Sequence, residues 1–296
     1  MIILNDNHPF LYNLLLKIYA HVFGTSDFVL RFFSTIWIVF GAIVSFTLLH
    51  KHGYKILALS YTPLFVLAPN TIYYAQECRN YAMILSLASI FCVLLYLVLE
   101  SLHKKLSLKH PNRYFAGIFV CGSAMVLTHY YAYVFVFAAG VILLIESLRT
   151  KTHTLGLFVA FLCIGSIGIA WITFHHIVGG FLYRMDGAWV YEQSIWSLLF
   201  SIILSAFGKF GWVLVTISLL VCFIKYKPID LCKEYKPLLY IVGLELFIVV
   251  GVFFGISQTM TPRYFMELYP LIYLFVATIL SAFWVFFSKI QFLSRV

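Results

Sequence analysis

The 296-residue sequence is 63% hydrophobic and only 10% charged, against roughly 25% charge in soluble domains, which excludes a fold whose whole surface meets water. Its 20 Lys/Arg outnumber 11 Asp/Glu, for a net charge of +9. No basic helix or aromatic reading surface accompanies that excess, so nucleic acid is not an expected partner, and the cations are expected in the cytoplasmic loops of a membrane protein.

The chain opens on Met1–His8, which lacks the basic stretch and apolar core of a cleavable leader. Pro9 to Phe23 is about 22 Å long as a helix, too short to span. Asn13, Lys17 and His21 recur every four residues, with Phe10, Leu14, Leu15, Ile18 and Val22 on the remaining surface. This predicts an amphipathic interfacial helix, capped by Asn5, Asp6 and Asn7, with Pro9 in its first turn and Gly24 at its end.

Apolar runs follow near 28–50, 56–74, 81–101, 114–129, 130–148, 155–177, 210–226, 238–257 and 264–287. A spanning helix takes about 20 residues. The expected fold is therefore an all-α, polytopic transmembrane helix bundle of about nine spans plus the interfacial helix. The 114–129 run is short, and Pro63 and Pro69 predict a kink or early end in 56–74. Ser194–Phe207, ahead of Gly208, reads as a second interfacial or re-entrant piece. The six cysteines form no CxxC pair and mostly sit inside apolar runs, so neither a disulfide framework nor a zinc site is expected.

With nine spans, the loops at 51–55, 104–113, 149–151, 225–236 and 289–295 fall on one side and hold 14 of the 20 Lys/Arg. That side is expected to be cytoplasmic. The other side, extracytoplasmic, then gathers residues 1–27, the segment around Glu77–Arg79, Thr128–Tyr131, the loop and helix at 181–207, and Thr261–Arg263. Arg79, Arg184 and Arg263 stand there against the positive-inside bias. A lipid phosphate would account for them, because a guanidinium pairs with phosphate in a bidentate fashion. Plainer readings stand beside this one. Tyr and Trp at an interface form the aromatic belt, Arg31 and Lys17 snorkel, Arg79 pairs with Glu77 or a helix end, His129 is a structural histidine, and Asp6 and His8 are cap and loop residues. Glu245 lies inside a span, where a carboxyl is costly; function and a protonated, hydrogen-bonded structural role weigh equally.

The order of segments carries more. Asn5-Asp6-Asn7-His8-Pro9-Phe10-Leu11-Tyr12, then Phe23-Gly24-Thr25-Ser26, then Leu30-Arg31 with Ser34, resembles the Asp-x-His-Pro-Pro-Leu-Tyr … Phe-Gly-x-Ser … Leu-Arg-x-x-Ser signature of the polyprenyl-phosphate-sugar-dependent glycosyltransferases of the GT-C superfamily, which include protein mannosyltransferase-like and aminoarabinose-transferase-like proteins. Pro69 through Tyr81 is similar to the family's Pro-x-x-x-Tyr-x-x-Gln-Glu-x-Arg-x-Tyr, and His129-Tyr130-Tyr131 and Arg263-Tyr264 match in place and order. The resemblance covers nearly the whole chain.

It implies transfer of a sugar from a polyprenyl-phosphate donor to a glycan, lipid or protein acceptor, on the outer face of the cell (inner or plasma) membrane, with membrane lipids as surroundings. His8, Arg79, Arg263 and Arg184 are then the expected phosphate-binding residues, and Tyr74, Gln76, Glu77, Tyr81, His129, Tyr130 and Tyr264 are expected to line the substrate cavity. Asp6 is the candidate catalytic carboxylate. No cofactor is assigned beyond a divalent metal, for which Asp6 and His8 are the candidate ligands. Two departures stand out. The family's general base, in an Asp-Glu-like pair after a first spanning helix, belongs upstream of the Asp-x-His-Pro motif, and Met1 lies five residues before Asp6. The expectation is a start upstream of Met1, or a truncated copy that lacks the base. Phe10 also replaces the second proline. The competing readings are a lipid-carrier transporter or flippase, which would need polar residues through the midplane and broken repeats, and a non-catalytic copy that keeps the lipid groove.

Overall fold

The computed structural model describes residues 8–103, 106–179, 194–225, 236–255 and 262–293. Within them all regular structure is helical: α1 Leu11–Phe23, α2 Asp27–Lys51, α3 Lys55–Val66, α4 Pro69–Ala75, α5 Tyr81–Leu102, α6 Pro111–Val126, α7 Ala132–Thr150, α8 Thr154–Gly179, α9 Ile195–Lys225, α10 Lys236–Gly255, a 3-10 turn at Pro262–Phe265, and α11 Leu268–Leu293.

The bundle is built around α5. Every side chain from Tyr81 to Leu102 is buried, because α2, α6, α7 and α11 pack around it. An all-round apolar helix belongs in the centre of a bundle or in lipid. In lipid, helices associate through close packing and buried hydrogen bonds, since the hydrophobic effect does not separate protein from acyl chains. Both devices join α2 to α5. The buried stripe of α2 runs Ser34, Ile38, Gly41, Ala42, Ser45, Leu49. Gly41 sits directly over Ser86, and Ser89 joins Ser45 and, from α3, Tyr61 in hydrogen bonds of 2.8 Å. The outward faces are apolar, as lipid requires: Phe28 on α2 and Leu155, Ile169 and Ile177 on α8 are exposed.

Four described helices, α2, α5, α7 and α8, are long and apolar enough to cross a membrane. The expected span at 56–74 is instead a broken pair, α3 and α4, bent by 59°. Pro63 removes an amide from α3, and Pro69 starts α4 afresh at its first turn. The described apolar stretches of α9, α10 and α11 are shorter (Trp196–Lys209, Leu239–Ile248 and Leu268–Ser281), so nine full spans are not reached among the described residues. The break expected ahead of Gly208 is present, with Gly208 at φ 65°, ψ 174°, where a side chain would strain the backbone. Carbonyls near the break find side-chain donors: Trp212 Nε1 reaches Ile203 O at 2.5 Å, and Tyr273 OH reaches Ala206 O at 2.9 Å.

The interfacial helix α1 forms, with a corrected start. It begins at Leu11, so Pro9 precedes the first turn. No side chain caps it; the Leu11 amide donates to Leu127 O at 3.0 Å. Asn5, Asp6 and Asn7 lie outside the described residues. Tyr12 is buried against the bundle, Lys17 and His21 are exposed, and so are the apolar Ile18, Val22 and Phe23, a mixture that suits a helix at a lipid–water boundary.

At the end of the bundle away from α1, polar side chains tie helix ends together. Tyr114 OH and His52 Nε2 share a hydrogen bond of 2.5 Å, Tyr54 OH donates to Glu100 at 3.0 Å, and His103 meets Glu146 at 3.3 Å. Burial holds the His52 imidazole below its ordinary 6.5. A depressed histidine stabilises the fold above its unfolded pKa, and that contribution is lost as pH falls through the folded one. Thermal midpoints of the purified protein should therefore fall on acidification below about pH 6.5, and His52→Gln should make that slope shallower.

Candidate active site

At the α1 end, the carbonyls that follow α4 are held by α2. Thr35 donates to Ala75 O at 2.9 Å, Ser34 to Glu77 O at 2.6 Å, and Arg31 to Gln76 O at 3.5 Å. Positions 31, 34 and 35 share one helical face. The Leu-Arg-x-x-Ser element is thus a clamp on the turn that presents Glu77, Cys78 and Arg79, and Arg31 is a donor to that turn where snorkelling was the plainer reading. On the other side of the turn, buried Asn80 donates through Nδ2 to Thr128 O at 2.9 Å. Together with the bond from Leu11 to Leu127, this ties α1, the 76–80 turn and the 127–131 turn into one frame.

Between these segments is a cavity of about 410 Å³ lined by His8, Pro9, Tyr12, Asn13, Cys78, Arg79 and Asn80. Its wall is aromatic. The His8 ring stacks on His129 at 5.7 Å and meets Tyr81 edge-on at 6.3 Å; Tyr81 and His129 are 5.9 Å apart. Tyr74 backs Tyr81 at 4.7 Å. His129 continues to Tyr131 at 5.7 Å, and Tyr131 stacks on Tyr264 at 4.8 Å. The Arg263 guanidinium lies over the Tyr264 ring at 5.6 Å, a cation–π distance. Tyr12 OH points to Cys78 Sγ at 3.7 Å, and burial together with that neighbour raises the Tyr12 pKa far above 10, so this wall stays a neutral phenol.

The two arginines come from distant segments and act on the same groups. Arg79 and Arg263 both lie within electrostatic range of the Tyr81 hydroxyl. Both also act on Tyr73, whose hydroxyl pairs with Glu77. A guanidinium does not lose its proton in a protein, whatever its burial. Arg263 is therefore a permanent cation. Its buried Nε has no hydrogen-bond partner among the described residues. Such an arrangement suits an anion that takes hydrogen bonds from a guanidinium.

The expected residues sort as follows. His8 and Arg79 line the cavity; Tyr74, Tyr81 and His129 are buried and join it only through the rings packed on His8; Tyr264 and Arg263 are not among its lining residues and connect through Tyr131. Gln76 turns back on its own helix, donating to Ile72 O at 3.2 Å. Tyr130 turns toward α8, where its hydroxyl meets His175 Nδ1. Asp6 and Arg184 lie outside the described residues, and with Asp6 goes the carboxylate of the metal expectation. Among the described residues no group of three His, Cys, Asp or Glu side chains could hold a metal ion. Sequence reasoning missed Tyr12, Asn13, Cys78 and Asn80 as lining residues, and Glu267. Three of these stand inside quoted motifs; Asn13 was visible only as part of the polar stripe of α1.

Comparison with known proteins follows the same geography. The family model described as dolichyl-phosphate-mannose-protein mannosyltransferase matches residues 7–171, more than half of the chain. No curated protein matches by sequence. Two solved structures are similar in fold at 15% identity. ArnT from Cupriavidus metallidurans in the apo state has a TM-score of 0.64, and 92% of this chain aligns to 49% of that one. The same protein bound to undecaprenyl phosphate has a TM-score of 0.60, with 92% and 50% covered. The chain thus spans about half the length of these two structures.

Proposed function

The chain belongs to the dolichyl-phosphate-mannose-protein mannosyltransferase family, and from that premise we propose that it serves transfer of a sugar from a polyprenyl-phosphate donor to an acceptor hydroxyl at the extracytoplasmic face of the cell membrane. The observation that carries this reading is the cavity lined by His8 and Arg79, with the His8 ring packed on Tyr81 and His129 behind it. The undecaprenyl phosphate held by the structurally similar ArnT supports the choice of anion. The clustering of the site residues at one end of the bundle, opposite Lys51, Arg113 and Arg149, supports the outer face.

In the reaction, the bond between the anomeric carbon and the phosphate oxygen breaks as the acceptor oxygen bonds to that carbon. The leaving lipid phosphate gains negative charge, which two guanidinium groups stabilise more in the transition state than in the ground state. His8 and Tyr81 face the sugar–phosphate from the ring wall. The acceptor proton passes to a carboxylate, the part assigned to Asp6. The apolar polyprenyl tail lies along the lipid-facing helices beside α1. Acceptor class (glycan, lipid or protein) is set outside this cavity.

Binding tests the donor site without needing the acceptor. Purified protein in lipid nanodiscs, titrated with undecaprenyl phosphate and followed by tryptophan fluorescence, should saturate. Undecaprenol, which lacks the phosphate, should bind at least ten-fold more weakly, and Arg79→Ala should lose about ten-fold. Equal affinity for alcohol and phosphate would remove the anion site.

A further inference from the structure

Behind His8 lies a pair of which the motifs mark only His129. Glu267, between the Pro262–Phe265 turn and α11, is 0% exposed, and its Oε2 is 3.7 Å from Nδ1 of His129, which is 1% exposed. The separation is longer than a hydrogen bond and within ion-pair range. Among the described residues, neither Glu267 oxygen nor His129 Nδ1 has a hydrogen-bond partner. Glu245 on α10 lies within electrostatic reach of Glu267, so this carboxyl faces a second carboxyl on one side and the imidazole on the other. A carboxyl completely buried without hydrogen bonds costs several kcal/mol, and such a residue is kept for what it does to its neighbour.

We propose that Glu267 is the positioning residue of the donor site, acting through His129; the inference rests on the donor reading above. A carboxylate beside Nδ1 favours the tautomer with the proton on Nδ1 and fixes the plane of the ring. That plane matters because His129 touches three rings at once: it stacks on His8, meets Tyr81 edge-on, and leans on Tyr131. His8 and Arg79 line the cavity, Arg79 lies within electrostatic range of Tyr81, and Tyr131 carries Tyr264 and its arginine. One ring therefore sets the spacing between the two guanidinium groups. If it turns, His8 shifts in the cavity and the cations no longer face one anion.

The test uses the full chain in nanodiscs and undecaprenyl phosphate without a sugar. Glu267→Gln keeps the shape and removes the charge; it should weaken binding about five- to ten-fold. His129→Gln should do the same, and the double variant should be no weaker than either single one, because both changes break one linkage. A purely structural role would lower the thermal midpoint and leave the dissociation constant of the folded fraction unchanged. Unchanged affinity in folded Glu267→Gln, or losses that multiply in the double variant, overturns the inference and leaves the donor site standing. Failure of the parent protein to bind overturns the donor reading, and the inference with it. Where Glu267→Gln does not yield folded protein, Glu267→Asp is measured. It keeps the charge but retracts it by one methylene, with about three-fold weaker binding expected; parent-like affinity there overturns the proposal equally.

Discussion

Arg263→Ala is expected to lower kcat/KM for a polyprenyl-phosphate sugar by about 100-fold or more, corresponding to roughly 3 kcal/mol of lost transition-state stabilisation. The size of the effect follows from the surroundings of the residue. Arg263 is half-buried, stacked on Tyr264, with an Nε that no described group satisfies. A cation screened from water acts on a phosphate more strongly than an exposed one. Arg79 is exposed, so its removal costs less, in line with the ten-fold loss of binding given above. Arg263→Lys separates charge from shape. Lysine keeps the charge but loses the planar fork and the stack, and should recover only part of the activity, about ten-fold below the parent. If the loss is in the transition state, kcat falls with little change in KM for the donor. The check is a steady-state transfer assay with a labelled donor, alongside thermal midpoints that show each variant folded. An Arg263→Ala enzyme within two-fold of the parent would detach this residue from the leaving group.

Much of the architecture was legible because lipid leaves few options. An apolar run of spanning length must be a helix, and α2, α5, α7 and α8 lie where their runs predicted. The interruptions were legible too. Pro63 and Pro69 split one run, and Gly208 breaks α9, because these residues change the backbone itself. For the site, motif order placed His8, Arg79, Tyr81, His129 and Arg263 at one end, and the frame of hydrogen bonds brings those segments together. Side-chain direction was beyond the sequence. Gln76 and Tyr130 sit in the right turns yet spend their polar groups on Ile72 O and His175. Arg31 read as a snorkelling cation because its acceptor, Gln76 O, lies 45 positions away. Glu267 was invisible for the same reason: the marked residues near it in the chain are Arg263 and Tyr264, while the ring it faces, His129, belongs to another turn.

The second large effect concerns folding and arises where α2 crosses α5. A Cβ added at Gly41 would lie 2.5 Å from Ser86 Oγ and 2.8 Å from Ser86 Cα, closer than real Cβ atoms approach. The clash with the main chain of Ser86 decides the outcome, because a side chain can rotate away but the backbone of a fully buried central helix cannot. Overpacking a core costs about 1–3 kcal/mol where side chains can adjust. Here α2 must move off α5, and the hydrogen bond between Ser45 and Ser89 one turn further along goes with it. The clamp from Thr35 and Ser34 onto the 75–77 carbonyls sits on the same helix, so the cavity loses its frame as well. Gly41→Leu is therefore expected to abolish accumulation of folded protein in the membrane. Gly41→Ala should lower the thermal midpoint by several degrees. Ser86→Gly should restore only part of that loss in the double variant, since it removes Oγ and Cβ of Ser86 but leaves the main chain in the way. Gly165 on α8 provides the matched control: nothing lies within 4 Å of a Cβ there, and the position is exposed. Gly165→Leu adds the same bulk to a lipid-facing site and should leave yield and midpoint near the parent values. Equal tolerance of leucine at 41 and 165, read by fluorescence-detected size-exclusion of detergent extracts, would mean that α2 and α5 do not make this close approach.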